Sequence, residues 1–223
     1  MTTVLPTIAL IGGTGDLGTG LARRWARAGY PVIIGSRETG RAEEAAASLR
    51  ARLDTAGPSC RVEAMDNLGA ATQADIVVLT VPFSHHAATL QLIKPAVQGK
   101  VLVDVTVPLV PPKVARVQMP PQGSAGLIAQ ALLGEEVRVV SAFQNVAAHL
   151  LQGDDAELGC DVLVCGNDTP AREQVVQLAV AAGLRGFHAG SLHNSVAVEA
   201  LTSLLIFINK QYQCHAGIRL TGV

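Results

Sequence analysis

The stretch from Thr7 to Arg41, TIALIGGTGDLGTGLARRWARAGYPVIIGSRETGR, constrains this chain more than any other. It opens with the apolar run Ile8 to Ile11, which reads as a buried strand. Gly13, Gly15 and Gly18 follow with the spacing G-x-G-x-x-G. Leu17, Leu21, Trp25 and Ala28 then share one face of a helix that Gly29 stops, and Val32 to Ile34 supplies the next strand. Strand, glycine turn, helix and strand, in that order, is the setting in which such glycines bind a dinucleotide. Gly13 is expected to make the tight turn, Gly15 to let backbone approach a pyrophosphate, and Gly18 to let helix and strand pack closely. The helix start, with Asp16 and Leu17, offers unpaired N–H groups to the phosphates, and its dipole favours their charge. Thr14 adds a hydroxyl. The competing reading is a glycine-rich structural turn in an α/β protein.

The end of the second strand bears on which nucleotide is held. An NAD site usually carries Asp or Glu there for the ribose hydroxyls. This chain has Gly35-Ser36-Arg37, with Arg41 four residues on. Two guanidiniums and a hydroxyl suit a 2′-phosphate, which a planar fork of N–H donors grips well. The expectation is therefore NADP(H). Glu38 stands where it is able to pair with Arg37 or Arg41, and both arginines also read as solvated surface residues.

Apolar runs and helical patterns alternate along the rest of the chain, the signature of a doubly wound sheet. Helices are expected over residues 40–53, 67–74, 85–97, 124–133, 171–182 and 192–212. Strands are expected over residues 61–65, 76–80, 101–103, 138–142, 161–165 and 186–189. A polar turn at Gly57-Pro58 separates two of them. Ile76 to Leu79 is apolar throughout, as in a strand buried on both faces. The fold class is thus α/β, a Rossmann-type doubly wound parallel sheet with a small C-terminal α/β lobe. Residues 1–150 form the nucleotide-binding domain, and residues 151–223 form the lobe that closes the cleft. Because ligands bind at the carboxyl ends of such strands, Thr14, Ser36, Thr80, Val81, Pro82, Phe83 and the segment from Asp104 to Pro108 are site candidates. The proline-rich stretch from Val105 to Gly123 is too long for a plain connector and reads either as a lid or cleft wall or as a packed surface crossing. Thr169-Pro170 reads as the cap of the helix that follows.

Composition narrows the function. The chain has 223 residues, 49% of them apolar, and a net charge of −1. That suits a large aliphatic core and excludes the basic surface of a nucleic-acid binder. Four cysteines, Cys60, Cys160, Cys165 and Cys214, form no C-x-x-C pair and read as buried free thiols of a cytoplasmic protein. No metal site is expected. The start of the chain lacks a basic n-region, and the apolar tract Ser195 to Ile208 contains Glu199 and is too short to span a bilayer. The greasy C-terminal helix is expected to sit at the centre of the second lobe and to form a homodimer surface.

Acid–base chemistry leaves little trace. No Ser/His/Asp or Cys/His set is visible, and His85, His86 and His149 read more naturally as solvated or capping histidines than as catalysts. Asp104 reads as structural. Reducing a carbonyl requires a proton donor at the oxygen, whereas hydride exchange between two cofactors does not.

IGGTGDLGTGLA followed by IIGSR, together with LTVPFSHHA, VVSAF and HAGIRLTG, closely resembles the NADPH-dependent F420 reductases (reduced coenzyme F420:NADP oxidoreductases). The likeness runs in order through nearly the whole chain. It implies a Rossmann domain with a small C-terminal lobe, and direct hydride transfer between NADP(H) and the deazaflavin coenzyme F420 as co-substrate. By motif it assigns Thr14, Gly15, Asp16 and Leu17 to the pyrophosphate, and Ser36, Arg37 and Arg41 to the 2′-phosphate. Phe83, Ala87 and Val107 would flank the nucleotide, Ala148 would lie near the nicotinamide amide, and Ala216 would touch the deazaflavin. Gln144 stands where some members carry a His facing the deazaflavin. The same Rossmann unit also resembles the cytosolic domain of membrane ferric reductases. Reduction of a flavin, ferric chelate or imine, and a non-catalytic NADP(H) sensor, are the alternatives.

Overall fold

The computed structural model describes residues 4–53, 61–155 and 157–223. The chain begins with β1 (Ile8–Ile11), α1 (Asp16–Arg27), β2 (Val32–Ser36), α2 (Thr39–Leu53), β3 (Val62–Asp66) and α3 (Asn67–Gln73). It continues through β4 (Ile76–Leu79), α4 (Phe83–Ile93), β5 (Val101–Asp104), α5 (Ala125–Leu133), β6 (Arg138–Ser141) and α6 (Ala148–Gln152). It ends with β7 (Asp161–Gly166), α7 (Thr169–Ala181), β8 (Arg185–His188) and α8 (Ser195–Tyr212). Gly57-Pro58 and Cys60 lie outside the described residues.

The eight strands form one sheet in the order β3-β2-β1-β4-β5-β6-β7-β8. β1 pairs with both β2 and β4 in parallel, so the chain winds outward to β3 and then restarts on the other side of β1. That reversal opens a crevice above the carboxyl ends of β1 and β4, where open α/β sheets bind ligands. The sheet is parallel, as expected above, except at one pairing: β7 runs antiparallel to β6, with Val140 opposite Gly166, while β8 is parallel to β7. The sheet period of two explains the two cores. Ile8, Leu10, Ile34, Val78 and Val103 face α1, α2 and α7, whereas Ala9, Ile11, Ile33, Val77, Leu79 and Leu102 face α3, α4 and α5. Uniformly apolar strands follow directly from being covered on both sides.

Three expectations change in detail: the cap of α7, the burial of Cys214 and the length of the apolar C-terminal stretch. Asp168, rather than Thr169-Pro170, caps α7, its carboxylate accepting the Ala171 N–H at 2.7 Å. Cys160 and Cys165 are buried thiols, and burial pushes Cys165 up to about 11, but Cys214 is exposed. The short helix α6 follows β6 without a periodic signal. The C-terminal helix ends at Tyr212 as expected, but by length and composition alone Leu192–Tyr212 is able to cross a membrane, contrary to the expectation that the apolar tract is too short. In the fold its inner face, Ser195, Val198, Glu199 and Ser203, is buried instead.

Buried polar groups hold α6 and α8 in place. Arg24 of α1 donates to the carbonyls of Leu150, Leu151, Gly153 and Asp155, and so satisfies the C-terminal end of α6. Burial, then the neighbouring Arg23 and Arg27, lowers its pKa. Glu199 of α8 accepts the N–H groups of Ala125 (2.6 Å) and Gly126 (3.1 Å) at the start of α5, and the Ser141 hydroxyl at 3.3 Å. Burial, with the Asp104 charge adding to it, pushes Glu199 up to about 7.

Candidate active site

A cleft of about 720 Å³ lies above the carboxyl ends of the central strands. Its first wall is the glycine turn. The turn bends at Gly12, whose φ of +70° favours glycine, and not at Gly13 as the spacing suggested. Gly13 serves packing: a Cβ there would stand 2.7 Å from Leu10, and one on Gly18 would stand 2.7 Å from the Gly13 backbone. A Cβ on Gly15 would meet nothing within 4 Å, so that backbone faces open space. Gly15 is also the N-cap of α1, and no side chain caps this end. The first N–H groups of α1 are therefore free to face an anion.

The second wall follows β2. Ser36 is buried but lines the cleft, as do Arg37 and Glu38 from the β2–α2 turn and Arg41 from the first turn of α2. Arg41 Nε lies 3.0 Å from Glu38 Oε2, so the second arginine is engaged by an exposed neighbour. Arg37 makes no ion pair among the described residues. Thr80, Val81, Pro82, Phe83, Ser84 and His85 form the third wall. Thr80 tethers β4 to β1 by donating its hydroxyl to the Ile11 carbonyl at 3.0 Å. Val105, Thr106, Val107, Leu109, Pro111 and Val114 complete the cleft, so the proline-rich stretch is a wall.

Thr14, Gly15, Asp16, Leu17, Gly18, Ser36, Arg37, Arg41, Thr80, Val81, Pro82, Phe83 and Val107 are thus brought together on one cleft. Ala87, Ala148, Gln144 and Ala216 are not among its lining. Ala87 is exposed on α4. Gln144 is buried, its Nε2 donating to the Asp104 carbonyl (2.9 Å) and Ser141 Oγ (2.7 Å), and so it props β5 against β6. The turn around Gln144 and the C-terminal segment do meet one another. The rings of His149 and His215 lie 3.6 Å apart, and Gly217 approaches Cys160 and the Asn145 carbonyl. Ala148 and Ala216 flank this ledge beside α1, to which Gln152 is joined by a bond from Nε2 to the Asp16 carbonyl at 2.9 Å.

The histidines divide. His86 is buried, with Nε2 at 2.7 Å from Asp104 Oδ2, while Asp104 Oδ1 accepts the Thr106 N–H at 2.9 Å. This pair fixes the base of the third and fourth walls from beneath. His85 is exposed on the cleft, and no hydrogen bond to its ring orients it among the described residues. The cleft therefore presents an anion-ready helix start, a basic edge and apolar walls, but no oriented acid–base pair. Sequence reasoning overlooked Asn67, which lines the cleft and accepts the Gly12 N–H at 3.1 Å. Its only signal was its place directly after a strand.

Sheet order, glycine turn and strand-end cleft together define a Rossmann-type α/β protein. A family model described as "NADP oxidoreductase coenzyme F420-dependent" matches residues 7–108. The F420-dependent NADP reductase of Methanocaldococcus jannaschii is 40% identical over 221 residues, covering 97% of this chain and 98% of that one. This chain belongs to the F420-dependent NADP reductase family. A more distant relative is Metalloreductase STEAP3 of Rattus norvegicus, 27% identical over 90% of this chain but over 37% of its own length. The fold matches a crystal structure of a protein from Arthrobacter sp. FB24 with a TM-score of 0.77 at 24% identity, covering 96% of this chain and 100% of that one.

Proposed function

We propose that this protein is an oxidoreductase that transfers hydride directly between NADP(H) and coenzyme F420. Membership of the family carries the reading, and the cleft supports it. NADP(H) and F420 are the two substrates, one giving the hydride and the other accepting it. The protein's part is to bind, orient and exclude water. The open backbone at Gly15, with Thr14, Asp16 and Leu17, holds the pyrophosphate at the uncapped start of α1. Ser36, Arg37 and Arg41 hold the 2′-phosphate. Thr80, Val81, Pro82, Phe83 and Val107 shape the apolar wall at the nicotinamide end, with Ala87 on the next turn of α4. Ala148, Ala216 and the turn at Gln144 form the ledge for the deazaflavin, which makes residues 151–223 a working part of the site. The absence of an oriented acid–base pair among the cleft-lining residues fits a transfer that needs no protonation of a carbonyl oxygen.

The protein works as a homodimer joined through α8, whose Leu204, Phe207 and Tyr212 are exposed. The unpaired thiols of Cys160 and Cys165 accord with a cytoplasmic setting. Anaerobic mixing of protein, NADPH and oxidised F420 tests the reaction. The expected result is bleaching of the deazaflavin band that saturates in both substrates. NADPH binding without bleaching above background would overturn the assignment and leave only the nucleotide half.

A further inference from the structure

Asn67 opens α3 and is 2% exposed, yet it lines the cleft. Its side chain is not needed to cap the helix, because Asp66 already accepts the Gly69 N–H at 2.9 Å. It turns instead toward the glycine turn, where Oδ1 accepts the Gly12 N–H at 3.1 Å. A backbone N–H only donates, so this bond fixes which end of the amide faces Gly12. Nδ2 must point the other way, and among the described residues it has no protein partner. A nearly buried amide thus keeps two N–H donors for whatever enters the cleft. Nδ2 is open to the cleft, so an oxygen acceptor on a ligand that displaces solvent there is its natural partner.

The position of Asn67 identifies that acceptor. β2 and β3 pair with Ser36 opposite Asp66, so Asn67 lies beside the end of β2. Gly35 makes room for it: a Cβ there would stand 3.0 Å from Asn67 Oδ1. The end of β2 is where a dinucleotide presents the 2′ edge of its adenosine ribose, and where an NAD site places a carboxylate. We propose that Asn67 is a specificity-determining residue whose Nδ2 donates to an oxygen of the phosphate on the adenosine 2′ position. The assignment rests on the reading that NADP(H) occupies this cleft. A neutral amide donor tolerates the charged 2′-phosphate, whereas a carboxylate at the same point accepts a ribose hydroxyl and repels the phosphate. Ser36 and Arg37 hold the phosphate from one side, and Asn67 meets it from beneath while pinning the turn that carries the pyrophosphate.

Two substitutions separate these roles. Asn67→Asp keeps an oxygen for Gly12 and removes the donor; Asn67→Ala removes both. Calorimetric titrations of NADPH, NADH and 2′,5′-ADP are compared with wild type. Asn67→Asp is expected to weaken NADPH and 2′,5′-ADP by about thirtyfold or more while NADH changes less than about threefold, and Asn67→Ala to lower the NADPH preference by about tenfold, the scale of one lost hydrogen bond to a charged group. A residue that only pins the turn serves the pyrophosphate common to both nucleotides. An unchanged NADPH-to-NADH ratio in both variants therefore overturns the assignment. Should a variant fail to fold, a crystal structure of the wild-type protein with 2′,5′-ADP decides: Nδ2 within about 3.5 Å of a 2′-phosphate oxygen is expected, and a longer separation overturns the assignment. Wild-type protein that binds neither NADPH nor 2′,5′-ADP would overturn the cleft reading itself, and this assignment with it.

Discussion

At the scale of single residues, the 2′-phosphate reading sets a sharp contrast between two arginines. Arg37 stands without an ion pair among the described residues, whereas Arg41 is held by Glu38 at 3.0 Å, both partners well exposed. Exposed ion pairs contribute little, so Glu38 restrains Arg41 only weakly. Replacing Arg37 and Arg41 together with alanine is expected to weaken NADPH by about a hundredfold or more relative to NADH, since each charge-assisted contact contributes roughly 1.5–3 kcal/mol. Equal losses in parallel titrations of the two nucleotides would remove the phosphate from this corner. Glu38→Gln frees Arg41 and removes a negative charge from the cleft rim. It should tighten NADPH by a few-fold, on the order of 0.5–1 kcal/mol, and a fluorescence titration in which affinity falls instead would assign Glu38 to the ribose.

At the scale of elements, α8 is tied to α5 and β6 through Glu199, a carboxylate raised to about 7 by burial and by the Asp104 charge. The sign of its pH effect follows from proton linkage. In the unfolded chain Glu titrates near 4.3, so between that pH and about 7 the native protein binds a proton that the unfolded chain does not. Stability contributed by Glu199 is present below about pH 4.3 and is lost as pH rises through about 7. Wild-type protein is therefore expected to lose on the order of 3 kcal/mol from this group between those limits. Glu199→Gln should be less stable overall, because an amide cannot accept both N–H groups of α5 as a carboxyl group does, but its denaturant midpoint should lack this slope. An identical slope in the variant would place the titration elsewhere. Helix α6 depends in the same way on Arg24, whose guanidinium meets the last carbonyls of that helix. Helical period alone gives no hint of it, because a helix of five residues whose C-terminal carbonyls are met by two buried arginines of α1, Arg23 and Arg24, takes its place from another element.

At the scale of the whole molecule, α8 exposes Leu204, Phe207 and Tyr212 to solvent while Ser195, Val198, Glu199 and Ser203 are buried. If α8 joins two copies, Phe207→Glu with Leu204→Glu should halve the mass measured by light scattering and leave NADPH affinity within about twofold, as sites without shared contacts behave independently. A wild-type mass already equal to one chain would end the dimer proposal. The lining residues of the cleft, by contrast, all lie between Gly12 and Val114, away from α8 in sequence.

The first half was readable because its signals are local. A glycine turn between two short apolar runs, and strands apolar enough to be buried on both faces, specify a strand–turn–helix unit wherever it is placed, and with it Gly15, Ser36, Arg37 and Phe83 as neighbours on one sheet edge. Periodicity likewise located most helices and strands to within a few residues. What it does not encode is pairing across long separations. The antiparallel entry of β7, the bend at Gly12 rather than Gly13, the engagement of Arg41 by Glu38 and the burial of His86 on Asp104 depend on which groups face each other after packing. Asn67 shows the difference most plainly. Its sequence neighbours mark only the start of a helix, and it reaches the cleft because β3 packs beside β2 and Gly35 leaves the space for its amide. Local chemistry thus determined that a dinucleotide-type cleft exists, and tertiary packing alone decided which buried polar groups line it, since a buried donor or acceptor must find its partner in space rather than in sequence.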